Sequence, residues 1–378
     1  MNIGINGYEA VVPRFGFDKK TGLPNRVGSS EFCYQLLLSL SKVDKINNYS
    51  VFLPVKPSLD MPEETEKWDY IVFKSKKLWT LLGLSKKLAE YKNKIDVFFS
   101  PTHYLPLRST VPSVISILDV SYLYFPGLFK KKDLYQLKLW GKYSINKADK
   151  ILTISNSSKN DIIKAYGISE AKVSVVYPGI KQVLNVKFMD KKELAKKFGI
   201  KENYILFVGT LQPRKNIARL IEAFSKLKNN DLQLVIIGKK GWQYEEILQA
   251  PEKFGVKEKV KFLEGIIDED LPSFYKNAIY FVLPSLYEGF GLPVLESMQY
   301  GCPVITSNIS SMPEAGGDAA LYVDPYSVDD MAEKLDNLIK DNKLREELVK
   351  KGYEQVKKFS WEKTAKETLS VLKEVAKK

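Results

Sequence analysis

Apolar runs of strand length alternate with helix-length stretches along nearly the whole chain, in two successive series. In the first, the strand-length runs are Ile3 to Ile5, Val51 to Leu53, Val97 to Phe99, Val114 to Leu118 and Ile151 to Ile154. Helical stretches such as Glu31 to Ser41 and Asp133 to Ile145 lie between them. The second series follows Pro178, with strands at Ile205 to Val208, Leu234 to Ile237, Val260 to Leu263, Ile279 to Leu283 and Val304 to Thr306. Its helices include Ile217 to Leu227 and Met331 to Ile339. Such alternation implies parallel sheets covered by helices. Tyr177-Pro178-Gly179 ends the first series and Lys181 to Lys187 shows no clear period, so the break falls near residues 178 to 190.

The expected fold class is therefore α/β, with two Rossmann-like domains facing across a cleft. Residues 1–180 form the first and 190–360 the second, and an amphipathic helix at about 361–378 is available to pack back on the first. A length of 378 residues fits two cores better than one. Ligands in such sheets bind beyond the carboxyl ends of the strands.

Composition narrows the class. Hydrophobic residues at 44% and charged residues at 27% describe a soluble globular protein and argue against disorder. Cys33 and Cys302 lie far apart with no metal-type spacing, which points to a reducing compartment. No apolar run approaches the ~20 residues of a spanning helix, and the start MNIGING has no signal-peptide pattern. A cytoplasmic protein is expected. The net charge of +13 is uneven: residues 1 to 180 hold 26 Lys and Arg against 16 Asp and Glu. A basic first half suits an anionic partner, or simply a lysine-rich solvated surface.

Two segments carry the chemistry. PSLYEGFGLPVLESMQYGCPVI, Pro284 to Ile305, follows a strand and leads into a helix with Pro293 in its first turn. Gly289 and Gly291 give a bare backbone, and the strand, loop and helix start make an anion site. Glu288 precedes the glycines, and Glu296 is expected in the helix's first turn. Two readings stay open on spacing alone: the carboxylates flank a bound molecule and take its sugar hydroxyls, or they only cap the loop and favour the helix start. The second segment, FVGTLQPRKNIARLIEAF from Phe207 to Phe224, places Arg214 and Lys215 between a strand and a helix. Guanidinium binds phosphate by two hydrogen bonds and ammonium by point charge; the alternative is a solvated pair.

These two segments strongly resemble glycosyltransferase family 4, the group 1 glycosyltransferases, which are retaining enzymes of the GT-B fold. The family's G-x-L-x-P-R-K-N-like loop stands at Gly209 to Asn216, and its Glu-x7-Glu motif at Glu288 to Glu296. The resemblance covers nearly all of residues 200 to 330 and is looser before that. It implies that Arg214 and Lys215 bind the donor diphosphate, that Glu288 contacts the donor sugar, and that Glu296 takes the ribose hydroxyls. Backbone groups at Gly289, Phe290 and Gly291 would meet sugar and phosphate, and Gly265-Ile266-Ile267 would hold the base. RVGSSEFCYQLL, Arg26 to Leu37, looks like the family's glycine loop, with Gly28 closest to the diphosphate. Many relatives carry a histidine before an aspartate after a first-domain strand; Leu118 stands in that place and Asp119 remains, a candidate catalytic group. The single histidine, His103, reads as structural by default.

The resemblance also implies a hexosyltransferase that needs no bound metal and no cofactor beyond its nucleotide-diphosphate sugar. Asp268-Glu269-Asp270 fits a helix N-terminus better than a metal site. The expected donor is a UDP- or GDP-linked hexose, with mannose the leaning, and the acceptor a glycan or a lipid-linked sugar. Reversible contact with an anionic membrane face is expected from KSKK at Lys74 to Lys77, Lys86-Lys87 and Lys130 to Lys132, with Leu78, Trp79, Leu81 and Leu82 as an apolar stripe. Nucleic acid is disfavoured as a partner. A nucleotide-sugar epimerase, a glycogen-phosphorylase-like enzyme and a non-catalytic sugar- or nucleic-acid-binding protein are the rival readings.

Overall fold

The structure is a computed structural model and describes all residues except 13–15, 19–20, 76–77, 182, 184–185 and 378. Chain packing divides it into two units. The first comprises Met1–Val120, Lys130–Gly179 and Phe359–Lys378; the second comprises Ser121–Phe129 and Ile180–Lys358.

The first unit holds a seven-stranded sheet of β1 (Asn2–Asn6), β2 (Asn48–Leu53), β3 (Trp68–Val72), β4 (Val97–Ser100), β5 (Ser113–Ser116), β6 (Lys150–Thr153) and β7 (Val173–Val175). Their order is β3-β2-β1-β4-β5-β6-β7, and every pair is parallel. The second unit holds β8 (Tyr204–Val208), β9 (Gln233–Ile237), β10 (Val260–Leu263), β11 (Phe281–Leu283), β12 (Val304–Ser307) and β13 (Ala320–Val323). Their order is β10-β9-β8-β11-β12-β13, again all parallel. Both units are Rossmann-like, and in each the strand order reverses once, between β1 and β4 and between β8 and β11. Loops leaving the carboxyl ends of strands at such a reversal diverge to opposite faces and leave a crevice.

Central strands are buried on both faces and read as continuous apolar runs. All five residues of β9 are buried. Three strands escaped the sequence reading: β3, β7 and β13 lie at sheet edges and expose part of their length, as at Asp69 and Val72. Edge position alone does not hide a strand, since β10 is also at an edge and its run Val260 to Leu263 is evident; β3 carries Asp69, and β7 and β13 are only three and four residues long.

Helix packing completes each core. In helix Ile217–Ser225 the spacing of Ile217, Leu220, Ile221 and Phe224 puts them on one buried face. Helix Trp361–Ala376 begins at Ser360, whose hydroxyl accepts from Lys363 N at 3.2 Å. Its Ala365, Leu369, Leu372 and Val375 join Phe32, Leu36 and Leu40 in the first unit's core. Full burial of each larger side chain contributes roughly 1.5–3 kcal/mol. Gly179 makes the approach possible: a Cβ there would lie 2.1 Å from Trp361 N. The stretch Asp133 to Ile145 lies inside a continuous helical run, Lys131–Gln136, a π-turn at Leu137–Gly141, and Lys142–Lys147.

One expectation needs correction. The apolar stripe beside the first lysine cluster does not face outward as a unit. Trp79 is 8% exposed, stacks on Phe73 at 4.7 Å and donates its indole N–H to Phe73 O at 3.0 Å. Leu81 is also buried, so only Leu78 and Leu82 are exposed. An indole that satisfies its N–H inside the fold gains more by burial than by lying at a lipid interface. Lys76 and Lys77 of that cluster lie outside the described residues. Among the described residues no helix is long and apolar enough to cross a membrane.

Candidate active site

The two sequence motifs leave adjacent strands at the order reversal of the second sheet. After β8, Gly209 N donates to Ile237 O at 2.9 Å, and a single 3-10 turn, Pro213–Lys215, leads to Asn216. Asn216 sits at φ 61°, a left-handed conformation that asparagine tolerates better than most residues. Its Nδ2 donates to Pro284 O at 3.1 Å and Pro325 O at 2.7 Å, and Leu286 N donates to Arg214 O at 2.8 Å. The loop after β8 is thereby stitched to the loop after β11.

The second loop turns into helix Leu292–Gln299 through Gly291, which takes φ 102°. That φ is what favours glycine here; a Cβ would also meet the flexible end of Met312, Cε at 2.2 Å, which would have to shift. Gly289 and Phe290 are buried in the same turn.

Arg214, Lys215 and Glu288 converge within it. Arg214 Nη1 donates to Glu288 Oε2 and to Tyr287 O, each at 2.8 Å. Lys215 Nζ pairs with Glu288 Oε1, which also accepts from Ser285 Oγ at 2.7 Å. Glu288 and Lys215 are each 7% exposed. The main chain is fixed as firmly: Glu288 O accepts from Ser310 Oγ at 2.9 Å and Ser311 Oγ at 2.8 Å, and Glu288 N donates to Ser310 Oγ at 3.1 Å. Burial alone pushes the Glu288 carboxyl up; the Arg214 guanidinium, the Lys215 ammonium and their hydrogen bonds outweigh it and hold the pKa near 2. The carboxylate is ionised at neutral pH, so the three side chains carry a net charge of +1.

Glu296 is placed differently from expectation. The helix starts at Leu292, so Glu296 is its fifth residue and opens the second turn. Pro293, not the glutamate, occupies the helix start, because the cap at Gly291 shifts the first turn towards the N-terminus. Glu296 Oε2 accepts from Tyr275 Oη at 3.0 Å. Burial, then the Glu296 charge, pushes the Tyr275 hydroxyl well above its usual range, so it stays a donor.

Gly265 follows β10 at φ 71°, and Ile267 beside it is exposed. Ile267 O accepts from Asp270 N and Leu271 N at the start of helix Leu271–Asn277. In the acidic run Asp268 pairs with Lys181 at 2.6 Å and Asp270 with Lys197 at 2.8 Å. No group of three potential metal-ligating side chains is gathered among the described residues.

The remaining candidates lie in the first unit. Gly28, at φ 57°, precedes helix Ser29–Val43. Arg26 anchors this turn: its Nε donates to Ala10 O at 2.7 Å, its Nη2 to Ser58 Oγ at 2.8 Å, and its guanidinium pairs with Asp60. Asp119 is half-buried just after β5, and Leu118 packs against the first unit's core. The His103 ring lies 6.4 Å from that of Tyr104.

Five residues around the site had no role in the sequence reading: Asn216, Tyr275, Ser285, Ser310 and Ser311. All but Tyr275 orient loops rather than point to a ligand-type side chain, which is why residue type did not reveal them.

Comparison with known proteins identifies the family and the fold. Residues 190–355 match the family described as glycosyl transferases group 1, and residues 60–182 match glycosyltransferase family 4. O-antigen chain mannosyltransferase B of Escherichia coli is 32% identical over 296 residues, covering 76% of each chain. Among solved structures, sucrose-phosphate synthase of Thermosynechococcus elongatus superposes with a TM-score of 0.71 at 18% identity, covering 99% of this chain and 98% of that one. The Anabaena protein Alr3699/HepE, solved with UDP and glucose, reaches 0.71 at 17% identity, covering 99% and 100%. With its GT-B fold and a relative this similar over three quarters of its length, the chain belongs to the group 1 glycosyltransferases.

Proposed function

We propose that the protein transfers a hexosyl group, with retention of configuration and without a bound metal, from a UDP- or GDP-linked sugar to a glycan or lipid-linked acceptor. The observation that carries this reading is the convergence of Arg214 and Lys215 on Glu288 at the strand-order reversal of the second sheet. The net positive cluster and the start of helix Leu292–Gln299 would take the diphosphate, whose charge grows as the sugar departs. Glu288 would face the sugar, Glu296 the ribose, and the backbone of Gly265, Ile266 and Ile267 the base. The bond from the anomeric carbon to the diphosphate breaks as the acceptor oxygen bonds the same face, and the acceptor proton passes to the leaving phosphate oxygen. The mannose-transferring relative favours a mannosyl donor.

Contact with an anionic membrane face belongs to the same reading. Its support is Lys131, Lys132, Tyr135, Lys138, Leu139 and Lys142, all exposed along one helical run, with Lys130 exposed at its N-cap.

A thermal-shift panel of UDP-, GDP- and ADP-sugars tests the donor, because a ligand that binds only the folded state raises stability by mass action. Arg214→Ala and Lys215→Ala should each lower transfer by ~10²-fold or more. Near-normal turnover in both variants would exclude this placement of the diphosphate.

A further inference from the structure

Ser121–Phe129 is bounded at both ends by chain of the first unit, yet it belongs to the second. It is a compact turn: Phe125 N donates to Ser121 O at 2.8 Å, a 3-10 turn follows at Pro126–Leu128, and the Tyr122 ring meets Phe129 edge-on at 6.3 Å. Ser121 and Tyr122 are buried. Two of its rings are applied to a single residue. Tyr124 lies 5.4 Å from the ring of Tyr287 at 31°, and Phe125 lies 6.1 Å from it at 60°. Both separations fall in the range where aromatic pairs attract.

Tyr287 precedes Glu288, and its carbonyl accepts from Arg214 Nη1. Its side chain and main chain thus have different duties: the ring is gripped by Tyr124 and Phe125, and the carbonyl helps to orient the guanidinium. Tyr124 is 48% exposed, so core burial does not account for its position over Tyr287.

We infer that Tyr124 and Phe125 are positioning residues for the Arg214–Glu288 pair, acting through Tyr287. The inference rests on the reading of that pair as the donor site. Charges that stabilise a departing diphosphate work because they are held in place beforehand, and a displacement of about 1 Å can cost ~10²-fold in rate.

The test compares Tyr124→Ala/Phe125→Ala with Tyr124→Phe, which keeps the ring. Amide exchange is read in peptides spanning 284–291, and kcat and KM are read from release of nucleoside diphosphate from GDP-mannose and UDP-glucose. In the double alanine variant, exchange in 284–291 should quicken about tenfold while β8 and β12 stay unchanged. Its kcat should fall about tenfold with donor KM within about threefold, and Tyr124→Phe should match the parent protein. The inference is overturned if exchange in 284–291 is unaltered, if β8 and β12 quicken equally, or if Tyr124→Phe is as impaired as the double variant. Should neither donor be cleaved by the parent protein, the exchange result decides alone. Undiminished release by Arg214→Ala would instead refute the donor-site reading, whatever the exchange shows.

Discussion

Replacing Glu288 with glutamine should remove a defined part of the acid sensitivity of the second unit. The folded-state pKa near 2 lies below the ordinary glutamate value of 4.5, so ionisation of this carboxyl favours the folded state. The sign follows from proton uptake. At pH 7 both states are ionised and the stabilisation is fully present; below 4.5 the unfolded chain takes up the proton first, and the stabilisation drains away until pH 2. The shift corresponds to about 3 kcal/mol, of which about 2 is lost by pH 3. Glu288→Gln keeps the shape but leaves Arg214 and Lys215 facing each other without their counter-charge. At neutral pH the variant should therefore be less stable by about 3–5 kcal/mol, the usual cost of breaking a buried pair. Hydrogen exchange of the β8 and β11 amides reads the opening of this unit. The gap between parent and variant should be wide at pH 6.5 and narrow by about 2 kcal/mol at pH 3. An equal gap at both pH values would mean that Glu288 is not held ionised by its two cations, and the electrostatic account of the site would fall.

Three further expectations follow from other parts of the molecule. Transfer should persist in excess EDTA, because Arg214, Lys215 and the helix start supply the positive charge; a strict need for Mg²⁺ or Mn²⁺, restored on addition, would overturn the metal-free reading. Gly291→Ala should lower stability by roughly 1–3 kcal/mol in urea titration, since it must hold φ 102° and crowd Met312; an unchanged midpoint would show that the turn relaxes freely. The protein should co-sediment with anionic vesicles at low salt, less so as salt rises, and Lys131→Glu/Lys132→Glu should weaken it; a parent protein that stays in the supernatant would end the membrane reading.

Much of the fold was legible because buried parallel strands leave continuous apolar runs and their helices leave a 3.6-residue period. Β8, β9 and the helix Ile217–Ser225 were read to within a residue or two for that reason. The edge strands β3, β7 and β13 are less legible: Asp69 interrupts β3, β7 is only three residues long, and β13 is a run of four, too short for its period to separate strand from helix. Arg214, Lys215, Glu288 and the glycines were visible as residue types in two characteristic segments.

What the chain order could not contain was the meeting of those segments, about 70 residues apart, on adjacent strands. Only the sheet order, with β8 beside β11, brings both cations to one carboxylate and makes the three into a cluster of net charge +1. The same holds for the hydroxyls of Ser310 and Ser311 on Glu288 O, the start of the helix one residue after Gly291, and the burial of Trp79. Local sequence sets which conformations and charges are available, through backbone sterics and side-chain chemistry. Which of them touch, and which face water, is decided by long-range packing, because burial and pairing energies depend on neighbours that no local window includes.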